Sequence, residues 1–183
     1  VQIGSSDEYG SQPSPQIESL RESPITSYSS AKVASTHLLQ MLAHTENFPV
    51  VILRLFLVYG PGQDDSRFLP QIIKGCFSGK AFDTSLGGQL RDFCYISDIV
   101  DSIFISLNCK KAFGEVINVA SGMPVHISYV VKKIRKITGL GDPKFGEVPY
   151  REGENMALYA DISKANTILN WQPKISLNEG LRK

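Results

Sequence analysis

Apolar runs alternate with amphipathic segments along this chain, and the alternation predicts strands separated by helices. The segment at 49–56 (PVVILRLF) is apolar and β-branched almost throughout, a pattern typical of a strand buried on both faces of a parallel sheet. Further strands are expected at 1–5, 82–85, 90–95, 116–119 and 157–160. This order of elements indicates an α/β fold.

Helical periodicity accounts for most of the segments in between. Apolar residues three and four positions apart predict a helix from Ser27, its expected N-cap, to about Glu46. We expect further helices at 67–79, 98–107, 128–137, 163–169 and 177–181. Asp98 and Ser128 are the expected caps of two of them, and Gly139 is an expected stop signal. Irregular structure is expected at 11–26 and, apart from the short strand, at 142–160.

Composition narrows the class of protein. The 183 residues are 42% hydrophobic, which supports a real core, and 19 basic against 18 acidic residues leave a net charge of +1. Nothing in this balance favours a nucleic-acid surface, and no apolar run is long enough to span a membrane. Three widely spaced cysteines form no metal or redox motif, which suggests reduced thiols in the cytoplasm. The abrupt start at Val1 suggests the middle of a longer protein.

The candidate chemistry lies at 28–32 (YSSAK), where Tyr28 and Lys32 share one helix face. An ammonium group beside a phenol favours the phenolate, and such a phenol can exchange a proton with a sugar hydroxyl or carbonyl. A serine at the end of the first strand, Ser6 or Ser5, could hold the same oxygen. The pattern predicts alcohol–ketone redox with a nicotinamide cofactor, although the spacing alone is more typical of a solvated helix face with a partly buried ring.

Six segments, in order, resemble the extended short-chain dehydrogenase/reductase family, specifically its nucleotide-sugar epimerases, dehydratases and 4-ketoreductases. They are 5–10 (SSDEYG), 28–32 (YSSAK), 53–62 (LRLFLVYGPG), 91–99 (RDFCYISDI), 118–122 (NVASG) and 169–173 (LNWQP). The resemblance implies the C-terminal part of a Rossmann-like, doubly wound parallel sheet plus a smaller mixed α/β substrate lobe. The sheet portion would be 1–62 and the lobe mostly 63–183, with the strand near 115–120 returning to the main sheet.

The resemblance also implies roles for individual residues. Tyr28 would be the general acid/base, and Lys32 would stabilise its phenolate and hold the nicotinamide ribose. Ser6, or Ser5 as the alternate, would hydrogen-bond the reacting oxygen. Tyr28, Lys32 and Phe56 would contact the cofactor, NAD or NADP.

Substrate contacts are implied at two places. Arg91 and Arg151 would meet the diphosphate of a nucleoside-diphosphate sugar, because a guanidinium fork suits its oxygens. The alternatives are an ion pair between Arg91 and Asp92 or Asp98, and a solvated Arg151.

The neighbouring acids Asp7 and Glu8 would also contact the substrate. They resemble the acid–acid pair of 4,6-dehydratases, but the turn has one residue fewer than usual before Tyr-Gly. This shortened turn is more similar to 4-ketoreductases of the GDP-4-keto-6-deoxymannose type. Segments 62–70 and 159–161 resemble O-antigen 4-ketoreductases, and Leu57 stands where many members have a substrate-binding asparagine.

No Gly-x-x-Gly-x-x-Gly turn is present in the chain, so the family's pyrophosphate-binding part is expected to be missing. The first choice of activity is an NAD(P)H-dependent 4-ketoreductase; a 4-epimerase, a 4,6-dehydratase or a catalytically silent fragment are the alternatives. We expect a cytoplasmic homodimer formed through the Tyr/Lys helix, with no metal, nucleic acid or membrane partner.

Overall fold

The computed structural model describes all 183 residues. Its strands are β1 (Gln2–Ser5), β2 (Ile52–Leu55), β3 (Leu57–Tyr59), β4 (Ala81–Thr84), β5 (Leu90–Arg91), β6 (Phe93–Tyr95), β7 (Val116–Val119), β8 (Val125–His126), β9 (Asp142–Phe145) and β10 (Ala157–Leu158). Its α-helices are α1 (Ser27–Glu46), α2 (Phe68–Phe77), α3 (Ile96–Asn108), α4 (Ile127–Thr138), α5 (Ser163–Leu169) and α6 (Leu177–Gly180). Two short 3-10 helices cover Ser6–Tyr9 and Lys110–Ala112. The fold is α/β, as predicted.

A three-stranded parallel sheet, in the order β1-β2-β7, is the centre of the molecule. The register places Ser5 beside Leu55, and Leu55 beside Val119, at the carboxyl end of each strand. The apolar run at 49–56 supplies β2, which is the middle strand of this sheet. Polar groups that follow these strands therefore meet at one edge.

The remaining strands form three smaller sheets. Strand β3 pairs in parallel with β6, and β4 pairs in parallel with β9. Strand β5 lies between β10, which is parallel to it, and β8, which is antiparallel. Because β3 follows β2 after a single residue, the second pair of strands continues outward from the edge of the central sheet.

Two apolar clusters hold these units together. One packs Leu53 and Ile117 of the central sheet against Trp171, which is buried. The other packs Tyr59 and Phe93 of the β3-β6 pair against α2 and α4. Sheet and helices are therefore joined by side-chain packing from distant parts of the chain.

The long helix matches its prediction, but its cap does not. Thr26, not Ser27, is the N-cap of α1: its hydroxyl accepts a hydrogen bond from the backbone N–H of Ser29, whose own hydroxyl accepts one from the N–H of Thr26. Helix α4 begins at Ile127, so Ser128 lies inside it and does not cap it. Gly139 ends that helix in the left-handed conformation, with φ of 69°.

Asp98 is likewise not a cap, because α3 already begins at Ile96. Its side chain is buried and accepts hydrogen bonds from the backbone N–H groups of Lys174 (3.1 Å) and Ile175 (3.0 Å). The carboxylate therefore anchors the C-terminal loop to α3.

Strand β9 falls in a segment that was predicted to be irregular. No helix is both long and apolar enough to cross a bilayer. The three cysteines are unpaired, and no three acidic, histidine or cysteine side chains are grouped as metal ligands.

Candidate active site

A cleft of about 970 Å³ opens at the carboxyl edge of the central sheet. Its walls come from the end of β1 and the turn after it, the end of β2, strand β3, the start of α2, strand β5 and the segment at 151–154. Seven of the residues predicted from the sequence to act in catalysis or binding line this cleft: Ser5, Ser6, Asp7, Tyr28, Phe56, Arg91 and Arg151. The fold therefore brings side chains that are up to 146 positions apart in sequence to the wall of one cleft.

The turn after β1 separates the two candidate serines. The hydroxyl oxygen of Ser5 accepts a hydrogen bond from the N–H of Asp7 at 3.1 Å, so it caps the 3-10 helix. The hydroxyl of Ser6 makes no hydrogen bond within the chain and lines the cleft. Of the two, Ser6 is the one with a free hydroxyl.

Tyr28 and Lys32 lie near the start of α1. The Lys32 ammonium donates to the carbonyl oxygen of Ile3 at 2.8 Å, and its nitrogen lies 5.7 Å from the centroid of the Tyr28 ring. Tyr28 lines the cleft with 54% of its surface exposed. The bond to Ile3 ties α1 to β1, and so places the phenol beside the strand that leads to Ser6.

Glu8 does not reach the cleft, contrary to its predicted contact with substrate. Its side chain is fully buried, and its carboxylate accepts hydrogen bonds from Ser5 N (2.9 Å), Thr36 Oγ1 (2.9 Å) and Arg54 Nε (3.0 Å). Neighbouring residues of a 3-10 helix point about 120° apart, because the helix has three residues per turn. Asp7 therefore faces the cleft while Glu8 faces the interior.

Arg54 is a buried partner that sequence reasoning missed. Its guanidinium lies 2.9 Å from Glu8 Oε2, also pairs with Glu22, and covers the face of Tyr9 at 4.6 Å from the ring centroid. Burial would raise the pKa of Glu22, but the hydrogen bond from Arg54 and its charge hold that pKa below the ordinary value. An arginine inside the apolar run at 49–56 was the available signal, since buried arginines need acidic partners.

Tyr9 completes the cluster on the other side of the guanidinium. Its hydroxyl donates to Asn118 Oδ1 at 2.7 Å, which links the turn after β1 to β7. Burial raises the pKa of Tyr9 to about 12, although the charge of Arg54 acts in the opposite direction. The phenol is therefore neutral and structural.

Arg91 is paired with neither of the acids named as alternatives. Its guanidinium forms an ion pair with Glu154 inside the cleft, and it also donates to the carbonyl oxygen of Leu90 at 2.9 Å. Burial lowers the pKa of Arg91, and the Glu154 carboxylate opposes that shift. Asp92 instead accepts hydrogen bonds from the backbone N–H groups of Ser121 (2.7 Å) and Gly122 (3.0 Å). Only 12% of the Arg91 side chain is exposed.

Three other cleft residues complete the geometry. Arg151 is exposed and forms no ion pair in the chain. Phe56 is 5% exposed and packs against Tyr9, with ring centroids 6.4 Å apart. Gln89, which sequence reasoning did not single out, is buried in the cleft wall, and its side-chain oxygen has no hydrogen-bond partner.

Comparison with known proteins agrees with this geometry. A family model described as GDP-mannose 4,6 dehydratase matches residues 1–183. UDP-glucuronate 4-epimerase of Thermodesulfobacterium geofontis is 30% identical over 186 residues, covering 100% of this chain and 57% of that protein. dTDP-glucose 4,6-dehydratase of Haemophilus influenzae is 30% identical over 171 residues, covering 87% of this chain and 50% of that protein.

Among solved structures, UDP-glucuronic acid 4-epimerase of Bacillus cereus, in complex with UDP-glucuronic acid and NAD, superposes with a TM-score of 0.86. It is 34% identical, and the match covers 98% of this chain and 58% of that one. The chain spans about half the length of the curated relatives it matches.

Proposed function

The chain belongs to the GDP-mannose 4,6 dehydratase family of extended short-chain dehydrogenases/reductases, and we propose that it forms the substrate and acid/base site of an NAD(P)-dependent enzyme acting at C4 of a nucleoside-diphosphate sugar. One observation carries the proposal. A single cleft is lined by a free serine hydroxyl, a tyrosine phenol and two guanidinium groups, those of Ser6, Tyr28, Arg91 and Arg151.

Tyr28 is the proton donor and acceptor. It donates its phenolic proton to the C4 oxygen when the carbonyl is reduced, and removes the hydroxyl proton when the alcohol is oxidised. The Lys32 ammonium stabilises the phenolate, and the Ser6 hydroxyl orients the C4 oxygen by a hydrogen bond. A bound nicotinamide coenzyme supplies or accepts the hydride.

Tyr28 and Phe56 at this end of the cleft, and Lys32, which does not line the cleft but lies one helical turn after Tyr28, fit the nicotinamide part of NAD or NADP. An ammonium group has three donors, and Lys32 uses one of them inside the chain, on the carbonyl of Ile3. The others are available to ribose hydroxyls. Phe56 contributes an apolar wall. Tyr28, Lys32 and Phe56 would hold the coenzyme here.

The other part of the cleft suits the diphosphate. Arg91 and Arg151 place two guanidinium groups in the same cavity, and planar guanidinium forks bind phosphate oxygens in pairs. Asp7, also in the cleft wall, would contact the sugar. In this division 1–62 carry the catalytic groups and 63–183 most of the substrate contacts, while β7 belongs to the central sheet.

Two of the candidate reactions, reduction of a 4-keto sugar and epimerisation, need only hydride and proton transfer at C4. A 4-ketoreductase is our first choice, because the shortened turn at 5–10 resembles that of 4-ketoreductases. The burial of Glu8 removes one member of the acid–acid pair that elimination would need, which argues against a 4,6-dehydratase. A 4-epimerase is the second candidate, favoured by the 34% identity to the Bacillus cereus enzyme over nearly the whole chain.

The test supplies the encoded full-length protein with each class of substrate. Nucleoside-diphosphate 4-keto-6-deoxyhexoses with NADPH or NADH test reduction, and UDP-glucuronic acid or UDP-glucose with NAD tests epimerisation. Consumption of NAD(P)H in the first assay supports the reductase, and a C4 epimer in the second supports the epimerase. A 4-keto-6-deoxy product from a nucleoside-diphosphate hexose would contradict the assignment, and no binding or turnover of any nucleotide sugar would reject it.

We also propose that α1 forms a homodimer interface. Leu38 and Met41 leave 55% and 46% of their surfaces exposed on this helix. Sedimentation of the wild type and of Leu38→Lys tests this proposal, and a monomeric wild type would contradict it.

A further inference from the structure

Gln89 combines burial with an unsatisfied side chain. It is 8% exposed, and its side-chain carbonyl oxygen is buried without a hydrogen-bond donor. A buried amide that lacks a partner is costly in a folded protein, so its retention calls for a physical explanation. Gln89 lines the same cleft as Arg91 and Arg151, so a rotation of its side chain would bring the amide to a molecule bound there.

The backbone on both sides of Gln89 is, in contrast, held by hydrogen bonds. Its carbonyl oxygen accepts from Ile127 N at 3.0 Å, and the N–H of the next residue, Leu90, donates to Met156 O at 2.8 Å. The carbonyl of Gly88 lies 2.9 Å from His126 Nδ1, and the N–H of Gly88 donates to the Tyr150 hydroxyl at 3.0 Å. These hydrogen bonds fix the backbone from which the Gln89 side chain extends.

The turn that precedes Gln89 requires a glycine at position 87. Gly87 has φ of +69°, and a Cβ there would lie 2.5 Å from the backbone nitrogen of Ser128. Only glycine fits such a conformation at such close approach. Strain from a larger residue would move Gln89 relative to the cleft.

The position of Gln89 along the cleft indicates which part of the ligand it meets. Asp92 accepts hydrogen bonds from the N–H groups of Ser121 and Gly122, just after β7 of the central sheet, whereas the carbonyl oxygen of Gln89 accepts one from Ile127 N at the start of α4. Gln89 precedes Arg91 by two residues, about 7 Å along an extended chain, and lies on its α4 side, away from the central sheet and Ser6. If the sugar lies at Tyr28 and the diphosphate at Arg91, Gln89 lies beyond the diphosphate, beside the nucleoside.

We propose that Gln89 is a specificity-determining residue that hydrogen-bonds the nucleoside half of the substrate, at a ribose hydroxyl or at the amide edge of the base. A half-turn about its terminal torsion exchanges oxygen and nitrogen, so the amide can present an acceptor or a donor to the cleft. The inference rests on the proposed function, because Arg91 fixes the place of the diphosphate.

The experiment measures nucleoside-diphosphate binding to the encoded protein by calorimetry, with wild type, Gln89→Met and Gln71→Met. Methionine keeps the length of glutamine and removes the amide. Gln71 is an exposed glutamine on α2, outside the cleft, and its change is the matched control. We expect Gln89→Met to weaken binding of its preferred nucleoside diphosphate by about 3- to 10-fold, the range for one neutral hydrogen bond. Gln71→Met should leave it unchanged, and inorganic pyrophosphate should bind both variants like wild type.

Paired ligands distinguish the two sources of the hydrogen bond. If a ribose hydroxyl is the partner, wild type prefers UDP to 2′-deoxy-UDP and Gln89→Met loses that preference. If the base is the partner, the preference between UDP and CDP, whose base edges carry opposite donors and acceptors, is lost instead. Either loss supports the proposal.

A melting curve separates this role from a structural one. Removing an unpaired buried amide should leave the melting temperature equal or higher, because no internal hydrogen bond is broken. A clear fall for Gln89→Met, or unchanged nucleotide preferences, would overturn the inference. Failure of wild type to bind any nucleoside diphosphate would instead count against the proposed function.

Discussion

Arg54 and Glu8 form an ion pair in which both side chains are completely buried, with 2.9 Å between Nη2 and Oε2. Glu8 also accepts hydrogen bonds from the N–H of Ser5 and the hydroxyl of Thr36. The pair therefore joins β2, the turn after β1 and helix α1 at one point. Two of these elements carry Ser6 and Tyr28, so the relative position of the proposed catalytic groups depends on this pair.

We expect Glu8→Gln to lower the free energy of unfolding by about 3 kcal/mol, the low end of the cost of breaking a buried ion pair, because Arg54 loses its fully buried partner and keeps only Glu22. Asp7→Asn is the matched control: it alters the adjacent acid, which is exposed, and should change stability by no more than about 0.5 kcal/mol. Urea denaturation of the two variants checks this. Equal losses would show that the buried pair is not what holds the turn.

Tyr9 should make the protein sensitive to alkali. Its pKa rises from 10.0 to about 12 on burial, so between these values the folded state keeps a proton that the unfolded state has released. Tyr9 alone then lowers the free energy of unfolding by about 1.4 kcal/mol per pH unit between pH 10 and 12. Tyr9→Phe should be less stable than wild type at pH 7, because Asn118 loses its donor, but less sensitive to alkali.

Urea midpoints between pH 8 and 11.5 measure this effect, with Tyr129→Phe as the control on an exposed tyrosine. If Tyr9→Phe and Tyr129→Phe show the same alkaline slope as wild type, Tyr9 does not retain its proton in the folded state.

Tyr28→Phe should lower kcat about a hundred- to ten-thousandfold with little change in substrate affinity, because it removes only the proton that moves at C4. Steady-state kinetics with the active substrate give kcat and KM, and Tyr129→Phe again supplies a tyrosine outside the cleft. A Tyr28→Phe enzyme with more than half of the wild-type rate would remove Tyr28 from the mechanism.

Arg91→Ala and Arg151→Ala should each raise KM more than they lower kcat, since the diphosphate is bound in both the ground state and the transition state. A hydrogen bond to a charged group contributes about 1.5–3 kcal/mol, or about ten- to a hundredfold in KM.

Glu154→Gln should lower KM, because the carboxylate now paired with Arg91 would no longer compete with the diphosphate. Arg91→Ala and Glu154→Gln thus move KM in opposite directions. A purely structural ion pair would instead give two variants of equal instability and unchanged KM.

Local sequence was sufficient for the main elements and for part of the site. The apolar, β-branched run at 49–56 could only be satisfied as a buried strand, and the periodic segment beginning after Thr26 formed one long helix. On that helix the four-residue spacing alone predicted that Tyr28 and Lys32 share a face. Strand β9 escaped prediction, because Asp142–Phe145 contains a proline and two charges, and it exists through its pairing with β4.

Relations between distant residues were decided only by the tertiary structure. Asp7 and Glu8 are adjacent acids, yet one lines the cleft and the other meets Arg54, 46 positions away. The partner of Arg91 is Glu154, 63 positions away, and not either of the nearby acids. The physical reason is that periodicity is a local property, whereas a buried charge takes whichever opposite charge the packing brings within reach.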